Sequence, residues 1–462
     1  MSRLVVVSNR VADLEKNVQS GGLAVALGDA LRQSGGLWFG WDGKVVEDDA
    51  ALETHTAKKG SVTVATIPLT RSDYEEYYIG FSNQVLWPAC HYRLDLVNFK
   101  TAYLEGYRRV NKRIADALVE LLRPDDVIWV HDYHLISLAS ELRARGVTNR
   151  IGFFLHIPFP PLGVLLAVPV HSWLVKSLFS FDVVGFQTNA DVINFQRFIS
   201  EHGEGQILSD GRLIAYGRTI IARAFAIGID VDAFHTMSRT PAAEEVIERL
   251  HRRLLARSHI IGVDRLDYTK GLPERMKAFR RMLELFPDKR RAVTLMQIAP
   301  PTREDVAAYT DIREELEKLS GSINGEFGNF DWTPVRYIHR NIPRQTLAAL
   351  FRGCQVGLVT PLRDGMNLVA KEYVAAQNDD NPGVLVLSRF AGAAEDMEEA
   401  LIVNPYDLDD IAHALQQALM MPTEERQARH RALMARIRTR DAKSWRASFL
   451  STLSPQTHGA FA

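Results

Sequence analysis

The chain has 462 residues, too many for one ordinary hydrophobic core, so two domains of roughly 200 residues are expected. Apolar residues make up 46% and charged residues 24%, which excludes a disordered or fibrous chain. The formal net charge of −1 offers no excess positive field, which argues against a general nucleic-acid or acidic-membrane role. Any bound anion must be held by local charges.

In chain order, Leu4–Val7 is a short β-branched run that ends in Ser8-Asn9-Arg10. Four apolar residues are too few for a signal-peptide core, and no run approaches the ~20 residues of a membrane span. Gly21-Gly22 opens a helical stretch that Gly35-Gly36 closes. Val127–Val130 runs into His131-Asp132-Tyr133-His134, followed by a helix-like stretch to Arg145. Ile151–Leu155 ends at His156 and a proline-rich loop, and Val183–Phe186 leads to a helix near Asn189. Continuous apolar strands alternating with helices indicate a parallel sheet covered on both faces. The stretch 231–256 lacks this rhythm and reads as a hinge. Beyond it, His259–Val263, a helix over 272–285, Val293–Ile298, Val356–Val359 and Val384–Leu387 restart the pattern. The fold class is therefore α/β, with two doubly wound domains facing one another across a cleft. Glu424–Arg440 reads as a solvated helix face. Cys90 and Cys354 have no metal or redox spacing and read as buried thiols of a reducing, cytoplasmic compartment.

Ligands of open parallel sheets bind beyond the carboxyl ends of the strands, so polar residues just after a strand are the ones to weigh. Thr360–Glu372 follows one strand and enters a helix. Asn367 can cap that helix, whose first amides suit a phosphate or a sugar hydroxyl, and Asp364 and Glu372 can hold different parts of one extended ligand. The alternative is a plain cap with a surface carboxylate. Asp264–Glu274 follows another strand. Arg265 and Lys270 suit a diphosphate, one as a planar fork and one as a point charge. The alternative pairs both cations with Asp264, Asp267 or Glu274. Arg10 opposite Gly21-Gly22 makes a third anion site, or the glycines are simply a turn. GxGxxG, GxxxxGK[ST] and GxSxG are all absent. His131 and His134 stand at i, i+3, but without a carboxylate or cysteine partner at ligand spacing no metal site is expected. Trp38, Trp41 and Trp87 read as core residues, with a sugar-stacking wall as the minority alternative.

Taken together, LVVVSNR, GLWFGW, LWPACHYR, IWVHDYHL, FFLHIPFP, DRLDYTKGLPER, QIAPPTR, PLRDGMNLVAKEYVAAQ and GVLVLSRFAGAA resemble the trehalose-6-phosphate synthase family, in order, from residue 3 to about 450. The resemblance implies the GT-B architecture. Residues 1–236 would bind the acceptor, residues 237–440 the nucleotide-sugar donor, and 441–462 would form a helix and tail packing back on the first domain. It implies glucose transfer with retention from a nucleotide-glucose, UDP-glucose by preference, to glucose 6-phosphate. Arg265 and Lys270 would clamp the donor diphosphate, and Glu372 would hold the ribose. Asp364 with the amides of Leu368 and Val369 would hold the donor glucose. Ile342 would meet the base through its backbone, and Gly21 and Gly22 would form a closing loop. Arg10, Tyr78 and Arg303, the last reaching across from the second domain, would receive the acceptor phosphate. Asp132, Trp87 and His156 would surround the reacting sugars.

No cofactor and no metal are expected. The expected partners are the two substrates and further copies of the chain, not nucleic acid or membrane. Residues 11–20 and 162–180 depart from the family pattern, which bears on loop closure and acceptor detail, and no fused phosphatase is expected after residue 450. Rival readings keep the fold and change the acceptor, as in a glucosylglycerol-phosphate synthase, or drop catalysis for sugar-phosphate sensing. A phosphorylase would need a lysine-bound pyridoxal phosphate, for which the motifs leave no place.

Overall fold

The computed structural model describes residues 2–12, 27–28, 31–32, 34–253, 257–302 and 307–455. Two compact units emerge, one of residues 1–226 with 443–462 and one of residues 227–442.

Among the described residues, the first unit holds a ten-stranded sheet in the order β3-β4-β2-β1-β5-β6-β7-β10-β9-β8. Its strands are β1 (Leu4–Arg10), β2 (Gly36–Val46), β3 (His55–Lys59), β4 (Val62–Thr70), β5 (Val127–His131), β6 (Arg150–Phe154), β7 (Val183–Phe186), β8 (Gln206–Ile207), β9 (Arg212–Ala215) and β10 (Arg218–Ala224). The strands from β4 to β10 in this order are parallel, and β3, β9 and β8 add antiparallel edges. The central runs are buried on both faces, as parallel packing demands. The last helix, Ala442–Leu453, packs Trp445 and Phe449 on Trp129 of β5, with ring centroids 4.9 and 4.8 Å apart.

The second unit holds a six-stranded parallel sheet in the order β13-β12-β11-β14-β15-β16. These strands are β11 (Ser258–Val263), β12 (Val293–Ile298), β13 (Val335–Ile338), β14 (Val356–Val359), β15 (Val384–Ser388) and β16 (Leu401–Val403). The stretch 231–256, expected to be a hinge, contains the helices Val231–Met237 and Pro241–Arg253, both in this unit. Asp230 caps the first of them through Ala233 N–H, so helical periodicity had replaced strand rhythm there. The chain passes between the units at Ala226–Ile227 and again at Ala442–Lys443.

Each sheet has a switch point, where successive strands begin to add on the opposite side. In the first unit it lies between β1 and β5, and in the second between β11 and β14. The rule for open sheets therefore directs attention to the loops after those four strands.

Candidate active site

In the second unit, the loops after β11 and β14 are locked together. Leu362 N–H donates to Thr269 O at 2.8 Å. Gly271 adopts φ +62°, and a Cβ there would stand 2.4 Å from Thr360 O, so the close approach requires glycine. Lys270 Nζ donates to Asp364 Oδ2 at 2.5 Å. The sequence had offered Asp264, Asp267 and Glu274 as partners for this lysine. Its partner is Asp364 instead, because the parallel order sets β11 beside β14. One of the three ammonium protons is spent on Asp364, and the other two remain for an anion.

Asn367 turns the chain at φ 71° and caps the helix Leu368–Ala376 by accepting from Ala370 N–H. Its amide also donates to Asp364 Oδ2 at 3.0 Å and to Asp264 Oδ1 at 3.3 Å. Leu368 and Val369 form the first turn, where backbone N–H groups have no intrahelical acceptor. Beneath both loops lies Arg275, a residue the sequence reading passed over. Its side chain is fully buried and donates to Asp264 at 2.7 Å, to Thr360 Oγ1 at 3.1 Å and to Gln297 Oε1 at 3.1 Å. Burial pushes the Asp264 carboxyl up, and Arg275 and Lys270 pull it back. The signal was present in the sequence: Arg275 shares the helix face of Leu272, Met276 and Phe279.

Glu372 lies on the same helix as Val369. Burial raises its carboxyl, offset by Arg344, whose NH2 donates to Glu372 at 3.4 Å. Arg344 begins the helix two residues after Ile342, so its contact with Glu372 ties the segment of Ile342 to the helix of Glu372. Arg265 follows β11 and is exposed.

In the first unit, Arg10 ends β1 and lies 5.7 Å from the centroid of the Trp41 ring. Ser8 Oγ accepts from Trp38 Nε1 at 2.9 Å, and Asn9 accepts from Tyr77 OH at 2.7 Å, which fixes the strand end. Tyr77 and Tyr78 come from a π-helical segment, Tyr74–Leu86. Tyr78 stacks on His134, with centroids 5.9 Å apart and planes 12° apart, and packs on Trp41 at 5.6 Å. Arg10, Trp41, Tyr78 and His134 thus form one cationic and aromatic cluster after β1 and β5. Trp41 is mostly core but supplies this wall, and Trp38 is wholly core.

Asp132 follows β5 with φ 76° and ψ 165°, a conformation that costs a non-glycine residue of order 1–3 kcal/mol. The strained turn lets its carboxylate accept from Tyr133 N–H at 3.1 Å and from His156 N–H at 3.3 Å, tying the β5 loop to the β6 loop. His156 Nε2 meets His131 Nδ1 at 3.0 Å. Burial pushes the His156 imidazole down to about 3, and burial together with the neighbouring His156 holds His131 well below the usual imidazole range, so both rings are neutral. Trp87 is buried against Tyr133 and His91, with centroids 5.7 and 4.2 Å away. Gly21, Gly22 and Arg303 lie outside the described residues.

The family model for glycosyltransferase family 20 matches residues 3–455. This chain belongs to glycosyltransferase family 20. Among its relatives, a trehalose-6-phosphate synthase of Sinorhizobium fredii is 49% identical over 98% of both chains. A crystal structure of a UDP-forming α,α-trehalose-phosphate synthase from Burkholderia xenovorans, in complex with glucose-6-phosphate, is 53% identical. It covers 98% of this chain and 100% of its own, with a TM-score of 0.95. An E. coli structure bound with UDP-2-fluoro glucose is 48% identical over 98% of this chain and 99% of its own, with a TM-score of 0.93. The chain therefore carries the two Rossmann-like units expected of a GT-B glycosyltransferase. Among the described residues no helix is long and apolar enough to cross a membrane.

Proposed function

We propose that this chain is a retaining glucosyltransferase that moves glucose from UDP-glucose to glucose 6-phosphate, giving α,α-trehalose 6-phosphate and UDP. The observation that carries the reading is full-length membership of family 20, with close relatives that bind glucose-6-phosphate and a UDP-glucose analogue. The residues that follow the switch-point strands suit each half of that reaction.

Breaking the sugar–diphosphate bond develops negative charge on the leaving group, and stabilising that charge is the main demand on the protein. Arg265, the two free Lys270 protons and the helix start at Leu368 and Val369 supply positive charge and N–H donors after β11 and β14. Asp364 spends Oδ2 on Lys270 and Asn367, which leaves Oδ1 for a hydroxyl of the donor glucose. Glu372 takes the ribose, and the Ile342 backbone takes the base.

On the first unit, Arg10 and Tyr78 receive the acceptor phosphate, with Arg303 assigned the same task. Gly21 and Gly22 are assigned to the loop over donor and acceptor. Asp132, Trp87 and His156 line the reacting sugars. A retaining hydrolase would use a carboxylate nucleophile against the anomeric carbon. By resemblance to the family, the acceptor hydroxyl attacks from the leaving-group face and passes its proton to the departing phosphate oxygen. Positioning then carries much of the catalysis. A neutral His156 holds the donor sugar.

The buried free thiols Cys90 and Cys354 support a cytoplasmic location. A homo-oligomer is proposed on the general prevalence of symmetric assembly. A UDP-release assay tests the acceptor. Release from UDP-glucose should require glucose 6-phosphate, and release with glycerol 3-phosphate in its place would move the assignment to a glucosylglycerol-phosphate synthase.

A further inference from the structure

His131 stands outside the reaction as assigned, yet it makes the only ring hydrogen bond that His156 has among the described residues, Nδ1 to Nε2 at 3.0 Å. Both rings are neutral, so a single proton lies between these two nitrogens, and either ring could own it. If His156 Nε2 carries the proton, His131 must carry its own on Nε2. If His131 Nδ1 carries it, His131 Nε2 is a bare lone pair and His156 holds its proton on Nδ1.

The surroundings of His131 Nε2 decide between the two. The ring is fully buried, and Nε2 has no hydrogen-bond partner among the described residues. Its aromatic neighbours include Trp129 and Trp445, with ring centroids 4.5 and 6.3 Å away. The indole N–H of each is itself buried without an acceptor. An N–H on His131 Nε2 would add a third buried donor without an acceptor to this packed aromatic group. Orphaned buried N–H groups are also rarer in proteins than under-used acceptors.

We propose that His131 is a positioning residue that donates its Nδ1–H to His156 Nε2 and so fixes His156 as the Nδ1–H tautomer, which presents that N–H to a ligand. His156 as a residue keeps some exposed surface although its imidazole is largely desolvated, and its Nδ1 has no protein partner among the described residues. This nitrogen is therefore the one a bound molecule meets, as a neutral donor to an acceptor such as a sugar hydroxyl oxygen. The catalytic consequence rests on the glucosyl-transfer reading; the tautomer does not.

The test is two-bond 1H–15N NMR of the full chain with 15N-labelled histidine, with the His156 signals identified by their loss in His156→Phe. The wild type should show His156 protonated on Nδ1 and His131 protonated on Nδ1. His131→Phe removes the donor, so His156 should change its tautomer distribution and kcat should fall about tenfold, while KM for glucose 6-phosphate stays within about twofold. His131→Asn offers an amide N–H near the former Nδ1, and it should restore both the Nδ1–H signal and most of kcat. A wild-type His156 protonated on Nε2 overturns the inference. So does a His131→Phe protein that keeps both its His156 signal and its kcat. If His131→Phe does not fold, the wild-type spectrum alone decides. If the tautomer is as stated but no glucose moves from any sugar nucleotide, the functional reading fails and the His131 assignment stands.

Discussion

Replacing Arg275 with Met keeps most of the side-chain volume and removes the guanidinium beneath the donor loops. Asp264, itself buried, then loses its 2.7 Å partner, while Gln297 and Thr360 each lose a donor. Breaking a buried pair from one side costs about 3–5 kcal/mol, because an uncompensated charge stays inside. For a unit of this size that lowers Tm by roughly 6–20 °C. The loss should depend on pH. Burial already raises Asp264 in the folded state, and without Arg275 it rises further. A carboxyl whose folded pKa lies above its unfolded value stabilises the fold at low pH, and that contribution is lost as pH rises through the folded pKa. The Tm deficit of Arg275→Met should therefore be largest near pH 7–8 and shrink toward pH 5. Asp264→Asn added to Arg275→Met should recover part of it at pH 7. Scanning calorimetry across that range reads both effects. A deficit under about 2 °C at pH 7, or one that grows on acidification, refutes the argument.

Other substitutions separate the two half-sites. Arg265→Ala should lower kcat about a hundredfold or more with little change in Tm, since an exposed cation is lost and the leaving group goes unsupported; near-normal turnover would remove Arg265 from the diphosphate clamp. Arg10→Ala should raise KM for glucose 6-phosphate about tenfold to a hundredfold and leave KM for UDP-glucose nearly unchanged, and an unaltered acceptor KM in steady-state kinetics would contradict its role. Gly271→Ala should destabilise the second unit, because φ +62° and the 2.4 Å approach to Thr360 O both oppose a Cβ; a thermal melt matching wild type would show that the two loops can part. Activity should survive EDTA, since the charge on the leaving group is met by Arg265, Lys270 and a helix start. Loss of turnover on chelation, restored by a divalent ion, would reverse that.

Much of the second sheet was legible because its strands are short apolar runs buried on both faces. Val293–Ile298, Val356–Val359 and the helix Leu272–Leu285 coincide with their sequence readings. The β2–β4 ribbon was not legible. β3 is exposed throughout, and β2 confines its buried run, Leu37–Trp41, to its first half before the polar stretch Asp42–Lys44. The segment Tyr74–Leu86 is π-helical, and its spacing fits neither a 3.6-residue nor a two-residue period. Among the proposed site residues, Arg265, Lys270, Asp364 and Glu372 were singled out by the strand-end rule. Lys270's partner could not be, because the contact with Asp364 joins residues 94 apart in sequence and follows from strand order. Arg275 was read past because a charged residue on a helix is usually solvated. The strain at Asp132 was invisible because positive φ is normally advertised by glycine.

The most direct measurement of the central claim is NMR of the products formed from UDP-glucose and glucose 6-phosphate by the purified protein. The account predicts a non-reducing disaccharide phosphate whose two anomeric protons both show α couplings, formed one for one with UDP. A β-linked product, a product that keeps a reducing end, or UDP appearing with free glucose alone would contradict it.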